Sequence, residues 1–369
     1  MKTLTKVTLV FLLFSCKLVY SQNDFTYRSV PASLTSKVAV SDGDRAKTIA
    51  NTPNLYDLTQ SLPAGFVRNG SVDYTDYLQK AINANQNVIF PDFPVLVNSK
   101  GIVLKSNMIV IFAKNSKLIL QPTETDNYQV IRMYNTKNTK LYYPYIVGDR
   151  EGHLGHGGEA GMGISIRGGS DNEVYNAHIT NCWGDGIFFG DLTKNITLYS
   201  PFLDNNRRNG ISIVWADGIK IYNMLSTNTN GTAPMAGIDI EPDDNTQHVD
   251  NILLQNPVTF NNKIRGILFA FKNFTGKANQ SVNIDINNHK DIGSNIGVAF
   301  YLGAKKEGSV PVLGNIKFTN PDWSGSKKPM YMDPDMDNNG VNLRISGSGS
   351  NAGNLKRLAS KARNVQFDQ

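Results

Sequence analysis

A Gly-hydrophobe motif recurs six times in this chain. Gly-Ile-Ser-Ile begins at Gly163, Gly-Ile-Phe-Phe at Gly186, Gly-Ile-Ser-Ile at Gly210, Gly-Ile-Asp-Ile at Gly237, Gly-Ile-Leu-Phe at Gly266 and Gly-Val-Ala-Phe at Gly297. The spacings are 23, 24, 27, 29 and 31 residues. Each unit holds a second apolar pulse, such as Asn195-Ile196-Thr197-Leu198 or Gly218-Ile219-Lys220-Ile221. A unit of two or three short strands cannot bury its own apolar face, but stacked coils about 4.8 Å apart can. The pattern predicts a parallel β-solenoid with Ile164, Ile187, Ile211, Ile238, Ile267 and Val298 in one internal stack. A β-sandwich explains short strands but gives no reason for this period.

Composition agrees. Of 369 residues 42 are asparagine and 32 glycine, types that tolerate left-handed backbone at tight turns. Asp73 or Thr75 caps a short helix whose Leu78, Ala81 and Ile82 share one face, and short strands such as Val88–Phe90 follow. The expected organisation is a leader over 1–21, an irregular lead-in over 22–72, coils over 73–339, and a cap or basic tail over 340–369.

The leader has Lys2 and Lys6 before the apolar run Val7–Phe14, with cleavage expected after Ser21. The alternative is a surface lipoprotein acylated at Cys16. Either product is periplasmic or secreted, and no other run reaches membrane-spanning length. Without the leader, formal charge falls from +6 to +3, of which residues 340–369 carry +4. The basic character thus belongs to the tail and does not indicate a nucleic-acid groove. Cleavage leaves Cys182 as the sole cysteine, excluding an intramolecular disulfide and a cysteine zinc site.

The helix, the Asn87-Val88-Ile89-Phe90-Pro91 segment and the coils resemble the pectin-lyase-like superfamily of right-handed parallel β-helix proteins over roughly residues 70–335. The resemblance implies extracellular or periplasmic carbohydrate processing by lysis, hydrolysis or epimerisation, with some members only binding. The paired-Asp, Gly-His-Gly and Arg-Ile-Lys set of the polygalacturonase-like hydrolases is not complete in this sequence: Gly155-His156-Gly157 and Asp243-Asp244 occur, but Arg-Ile-Lys does not. Catalytic roles do not transfer from that set.

Strand alternation turns Ile238 and Ile240 inward and Asp239 and Glu241 outward, with Asp243 beside them if the strand continues past Pro242. Glycoside hydrolysis needs one protonated and one ionised carboxyl group, and crowded like charges raise one pKa. Register sets Ser212 and Leu268 beside Asp239, and Val214 and Ala270 beside Glu241. Asp185, Asn209, Ala236 and Arg265 precede successive strand glycines. Arg265 is expected to reach Asp239, with Arg207 and Arg208 approaching from the other side. A surface ion pair and, for Asp185, a turn-shaping role are the plain alternatives.

The Gly-rich loop Asp149–Glu159 carries His153 and His156, expected to bind sugar or exchange a proton if the loop folds over this wall. Phe188 and Trp215 are the groove aromatics, and Lys263 and Lys272 flank the next strand.

The leading expectation is a secreted hydrolase acting within a polysaccharide. Glu241 is its general acid, Asp239 or Asp243 activates water or attacks, and Asp185 positions water or sugar. Arg208, Arg265, Asn209, Trp215, His156 and Lys272 bind substrate. No cofactor is called for. The alternative is a lyase with calcium at Asp239, Glu241, Asp243 and Asp244 and a base among Arg208, Lys272 and His156. A third is a non-enzymatic carbohydrate-binding surface protein. A monomer is expected, with no nucleotide fingerprint, no nucleic-acid recognition helix and no integral membrane segment.

Overall fold

The computed structural model describes residues 25–276, 278–303, 309–334, 340–348, 352–360 and 365–368. The expected leader and Cys16 lie outside them. The chain is a right-handed parallel β-helix of three sheets, with twelve, nine and nine strands, in which every strand pairs with its counterpart one coil away.

One coil shows the path. Met162–Arg167 lies in the sheet that will carry the site, Glu173–Tyr175 in the twelve-stranded sheet and His178–Thr180 in the third; Ile187–Gly190 then returns to the first. Ile164, Ile187, Ile211, Ile238, Ile267 and Val298 are register partners in turn and are fully buried, as the repeat predicts.

The strand glycines are fixed by space. A Cβ on Gly210 would overlap Ser226 Oγ and stand 2.5 Å from the carbonyl oxygen of Gly237. Backbone of the next coil cannot yield cheaply, so Gly210→Ala should cost about 1–3 kcal/mol. A lowered thermal midpoint checks this, and an unchanged one would reject the crowding.

Turns account for the asparagines. Among the described residues, fifteen of the twenty-one non-glycine residues with positive φ are asparagine. Their amides form ladders between coils: Asn256 Nδ2 donates to Asn223 Oδ1 at 3.0 Å and Asn288 Nδ2 to Asn256 Oδ1 at 2.8 Å.

The amino-terminal helix is Thr75–Ala84, burying Leu78, Ala81 and Ile82. Tyr74 occupies its cap, and the Asp73 carboxylate accepts from the Thr75 N–H at 2.9 Å. The lead-in, expected to be irregular, contains regular elements and runs as a strap along the coils. It forms the helix Asp42–Ala50, and its strand Leu55–Asp57 pairs with Asn87–Ile89 at the edge of the twelve-stranded sheet. Side chains at the coil corners hold the strap: Asn261 Nδ2 donates to Thr26 O, Asn228 Nδ2 to Arg28 O and Asn176 Nδ2 to Val38 O. Coiling also continues past 339. Gly340–Ser346 adds a strand with Val341, Leu343 and Ile345 buried, Val365–Asp368 adds the last, and the helix Ala352–Ser360 packs Leu355 and Ala359 inward.

Candidate functional site

Three rows of side chains run along the outer face of the first nine-stranded sheet. One passes through Ser165, Phe188, Ser212, Asp239, Leu268 and Ala299 to Tyr331. A second includes Ala236, Arg265, Ile296 and Lys328, with Asn209 and Asp185 on the preceding coils. Glu241 continues the third, bonded through its N–H to Ile213 O at 3.1 Å; Ala270 and Tyr301 follow it. The small neighbours Val214 and Ala270 keep the floor beside Glu241 low.

Arg208 organises the centre. It leaves the corner before the Gly210 strand, its N–H bonded to Gly184 O at 3.1 Å, which lays the side chain over the wall. Its Nη1 lies 3.1 Å from Asp185 Oδ2 and 3.9 Å from Asp239 Oδ2, its Nη2 3.7 Å from Glu241 Oε2, and its Nε 2.9 Å from Glu159 Oε2. Burial opposes the guanidinium charge, but these four carboxylates more than reverse that and raise its pKa above the usual range.

Asp185 is fully buried and accepts from Ser212 Oγ at 2.7 Å, the Asn209 N–H at 3.0 Å and Arg208. Burial raises its pKa, opposed by Arg208 and these hydrogen bonds. Asn209 is oriented from behind, its Oδ1 accepting the Ala236 N–H at 3.0 Å; its Nδ2 then donates to Ser212 Oγ and Asp239 Oδ2, both at 3.0 Å.

Asp239 and Glu241 form a coupled pair. Burial, then the Glu241 charge, pushes Asp239 well above the usual carboxyl range. Burial also raises Glu241, against the pull of Arg208. Asp239 Oδ1 is enclosed and receives no hydrogen bond, while Oδ2 takes the Asn209 amide. The burial that raises both pKa values favours the protonated form of the pair. Only one of them reaches solvent: the Glu241 side chain is 34% exposed and that of Asp239 1%.

The structure therefore gathers Asp185, Arg208, Asn209, Asp239 and Glu241 and sets the other expected site residues apart from them. Asp239 does face outward but is covered, with 1% of its side chain exposed. Past Pro242 the chain turns away: Asp243 exchanges hydrogen bonds with Gln247, and Asp244 Oδ1 accepts from Thr246 N and Oγ1 at 2.7 and 2.6 Å. The four acids thus do not converge on one cation, and among the described residues no cluster of three or more His, Cys, Asp or Glu has metal-binding geometry.

Arg265 points away from Asp239, donating to Pro234 O at 3.0 Å and Tyr301 Oη at 3.1 Å. Lys272 pairs with Asp333 at 2.5 Å, and Arg207 lies over the Trp183 ring. His156 is exposed on its loop with no hydrogen bond to the acids, whereas His153 is structural, held to Asp149 at 2.8 Å and stacked on Trp183 at 3.9 Å. Trp215 is half-buried at the corner beyond Val214, with no hydrogen bond to the acids. Phe188 is buried under Arg167.

Two contributors escaped sequence reasoning. Ser212 was visible as the register neighbour of Asp239, though not as a donor to Asp185. Glu159 comes from the glycine-rich loop, 49 residues before Arg208, and no local pattern pairs them.

Comparison with solved structures places the fold. The A-module of the mannuronan C-5 epimerase AlgE6 from Azotobacter vinelandii is similar over 85% of this chain and 98% of its own, at 13% identity and a TM-score of 0.56. Endo-xylogalacturonan hydrolase from Aspergillus tubingensis matches over 80% and 86%, at 14% identity and 0.56. The tailspike gp49 of Acinetobacter baumannii bacteriophage Fri1, a capsular polysaccharide depolymerase, matches over 86% and 63%, at 16% and 0.52. No family model matches the chain, and no curated protein matches it. At such identities the likeness is one of fold, the expected right-handed parallel β-helix.

Proposed function

We propose that this protein is a polysaccharide hydrolase whose reacting groups stand on the outer wall around Arg208. The observation that carries the reading is the Asp239–Glu241 pair, two carboxyl groups with raised pKa of which one is exposed. In this reading Glu241, the exposed member of the pair, gives a proton to the leaving glycosidic oxygen. Glu159, 59% exposed and held by Arg208 Nε, is the second carboxylate, accepting the proton of the water that adds to the sugar. Asp185 anchors Arg208 and Ser212 from beneath. The similar structures named for polysaccharide substrates support a polymer laid along the coils, and such a polymer calls for an exported enzyme.

Two of the three bases open to the lyase reading are engaged, leaving the exposed His156. Arg208 is engaged by four carboxylates that strengthen its hold on its proton, and Lys272 is paired with Asp333. Mass analysis of products from a panel of neutral, uronic and sulfated polysaccharides tests the choice. Fragments that each gain one water are expected, whereas unsaturated fragments without that gain would establish elimination instead.

Among the described residues no helix is long and apolar enough to cross a membrane.

A further inference from the structure

The outer wall is electrically two-ended. At Glu241 four carboxyl groups surround a single arginine. On the following coils come the small or apolar Ala270, Leu268 and Ala299, and beside them a cluster of opposite sign that begins with Arg265 on the coil of Leu268. Arg265 lies over the Tyr301 ring at 5.4 Å and Lys328 over the Tyr331 ring at 4.5 Å, and the two tyrosine rings stand 5.4 Å apart. Lys272 also approaches Tyr301, but Asp333 neutralises it. Arg265 donates only to neutral oxygens, and neither Arg265 nor Lys328 has a carboxylate partner among the described residues. Arg265 Nε is enclosed without an acceptor. Among the described residues two positive charges thus lack a carboxylate partner beside two partly exposed aromatic rings.

We infer that this cluster is a subsite for an anionic sugar unit, one to three coils from the bond that is cut, and that the unit at Glu241 is neutral. The inference rests on the hydrolase reading for the position of the cut, but the binding it predicts is independent of catalysis. Strand spacing puts Tyr301 about 10 Å and Tyr331 about 14 Å along the axis from the Asp239–Glu241 coil. A carboxylate or sulfate there meets Arg265 and Lys328, while the tyrosines offer apolar contact to the ring. The same group at Glu241 would face the carboxylates of Glu159, Asp185 and the Asp239–Glu241 pair, with Arg208 already shared among them. The arrangement therefore selects a polymer in which charged units are separated by neutral ones over one in which every unit is charged.

The test is calorimetric binding to the full chain carrying Glu241→Gln, which prevents turnover. Probes are oligosaccharides of gellan and of hyaluronan, where neutral units separate the uronates, oligogalacturonate, where every unit is charged, and the carboxyl-reduced forms of gellan and hyaluronan. At least one spaced anionic probe should bind about tenfold or more tightly than both its carboxyl-reduced form and oligogalacturonate. Its affinity should fall with salt. Adding Arg265→Gln and Lys328→Gln should abolish the advantage, with the thermal midpoint reporting that the fold survives. Equal binding of charged and reduced probes, preference for oligogalacturonate, no binding by any anionic probe, or an advantage surviving in the double substitution would each overturn the subsite. The two readings fail separately: an undiminished Glu241→Gln enzyme removes the catalytic assignment, while loss of charge preference in the double substitution still supports the subsite.

Discussion

Glu241→Gln should lower kcat/KM on the cleaved polysaccharide by about 100-fold or more while leaving the fold intact. The amide keeps the shape of the side chain and an oxygen for Arg208 Nη2, 3.7 Å away in the native protein, so only proton donation is lost. The pH profile gives a second signature. Glu241 must be protonated to act as an acid, so activity falls as pH rises through its pKa. Because burial raises that pKa, the descending limb should lie above the ordinary glutamate range. The residual activity of the variant should lack that limb. Turnover equal to wild type would take Glu241 out of the chemistry, and a wild-type protein that binds polysaccharide without cutting it would leave a carbohydrate-binding surface.

The repeat made the coil legible because a glycine is required wherever a Cβ would strike the next coil. The isoleucine after it sets the phase of every strand. Phase then gave the register of Asp239 with Ser212 and Leu268, as the pairing shows. Burial was not legible. Asp239 is covered by groups its own strand does not encode: Asn209 and Arg208 from the previous coil, and Arg208 is held in turn by Glu159 on a distant loop.

Side-chain direction also depended on distant partners. Arg265 was close enough to reach Asp239, but Pro234 O and the Tyr301 hydroxyl, 31 residues behind it and 36 ahead, offer it hydrogen bonds. The fate of Asp244 was local by comparison. A threonine two residues on supplies both a backbone and a hydroxyl donor, and that turn draws the carboxylate away. The strap carried no amphipathic signal because its helix Asp42–Ala50 buries no residue. Bonds between its backbone and the corner asparagines do much of the holding.

Arg208→Ala should destabilise the protein by about 3–5 kcal/mol at neutral pH, because it strips the counter-charge from carboxylates that are already buried. Asp185 is 0% exposed and Asp239 1%, so water cannot replace the guanidinium without opening the wall. The dependence on pH fixes the sign. Asp185, Asp239 and Glu241 all have folded-state pKa values above their ordinary ones. For such acids the folded state holds protons that the unfolded chain releases, so their contribution is fully present below the unfolded pKa and is lost as pH rises through the folded one. Removing Arg208 raises the folded values further and widens that window. The variant's thermal midpoint should therefore lie closest to wild type near pH 4 and fall away towards pH 8. Asp239→Asn, an uncharged isostere of the protonated acid, should recover part of the loss at pH 7 in the Arg208→Ala background and little at pH 4. A deficit independent of pH, or one that Asp239→Asn does not relieve, would mean that Arg208 supports the wall by packing alone and that the acids beneath it are not held as charges.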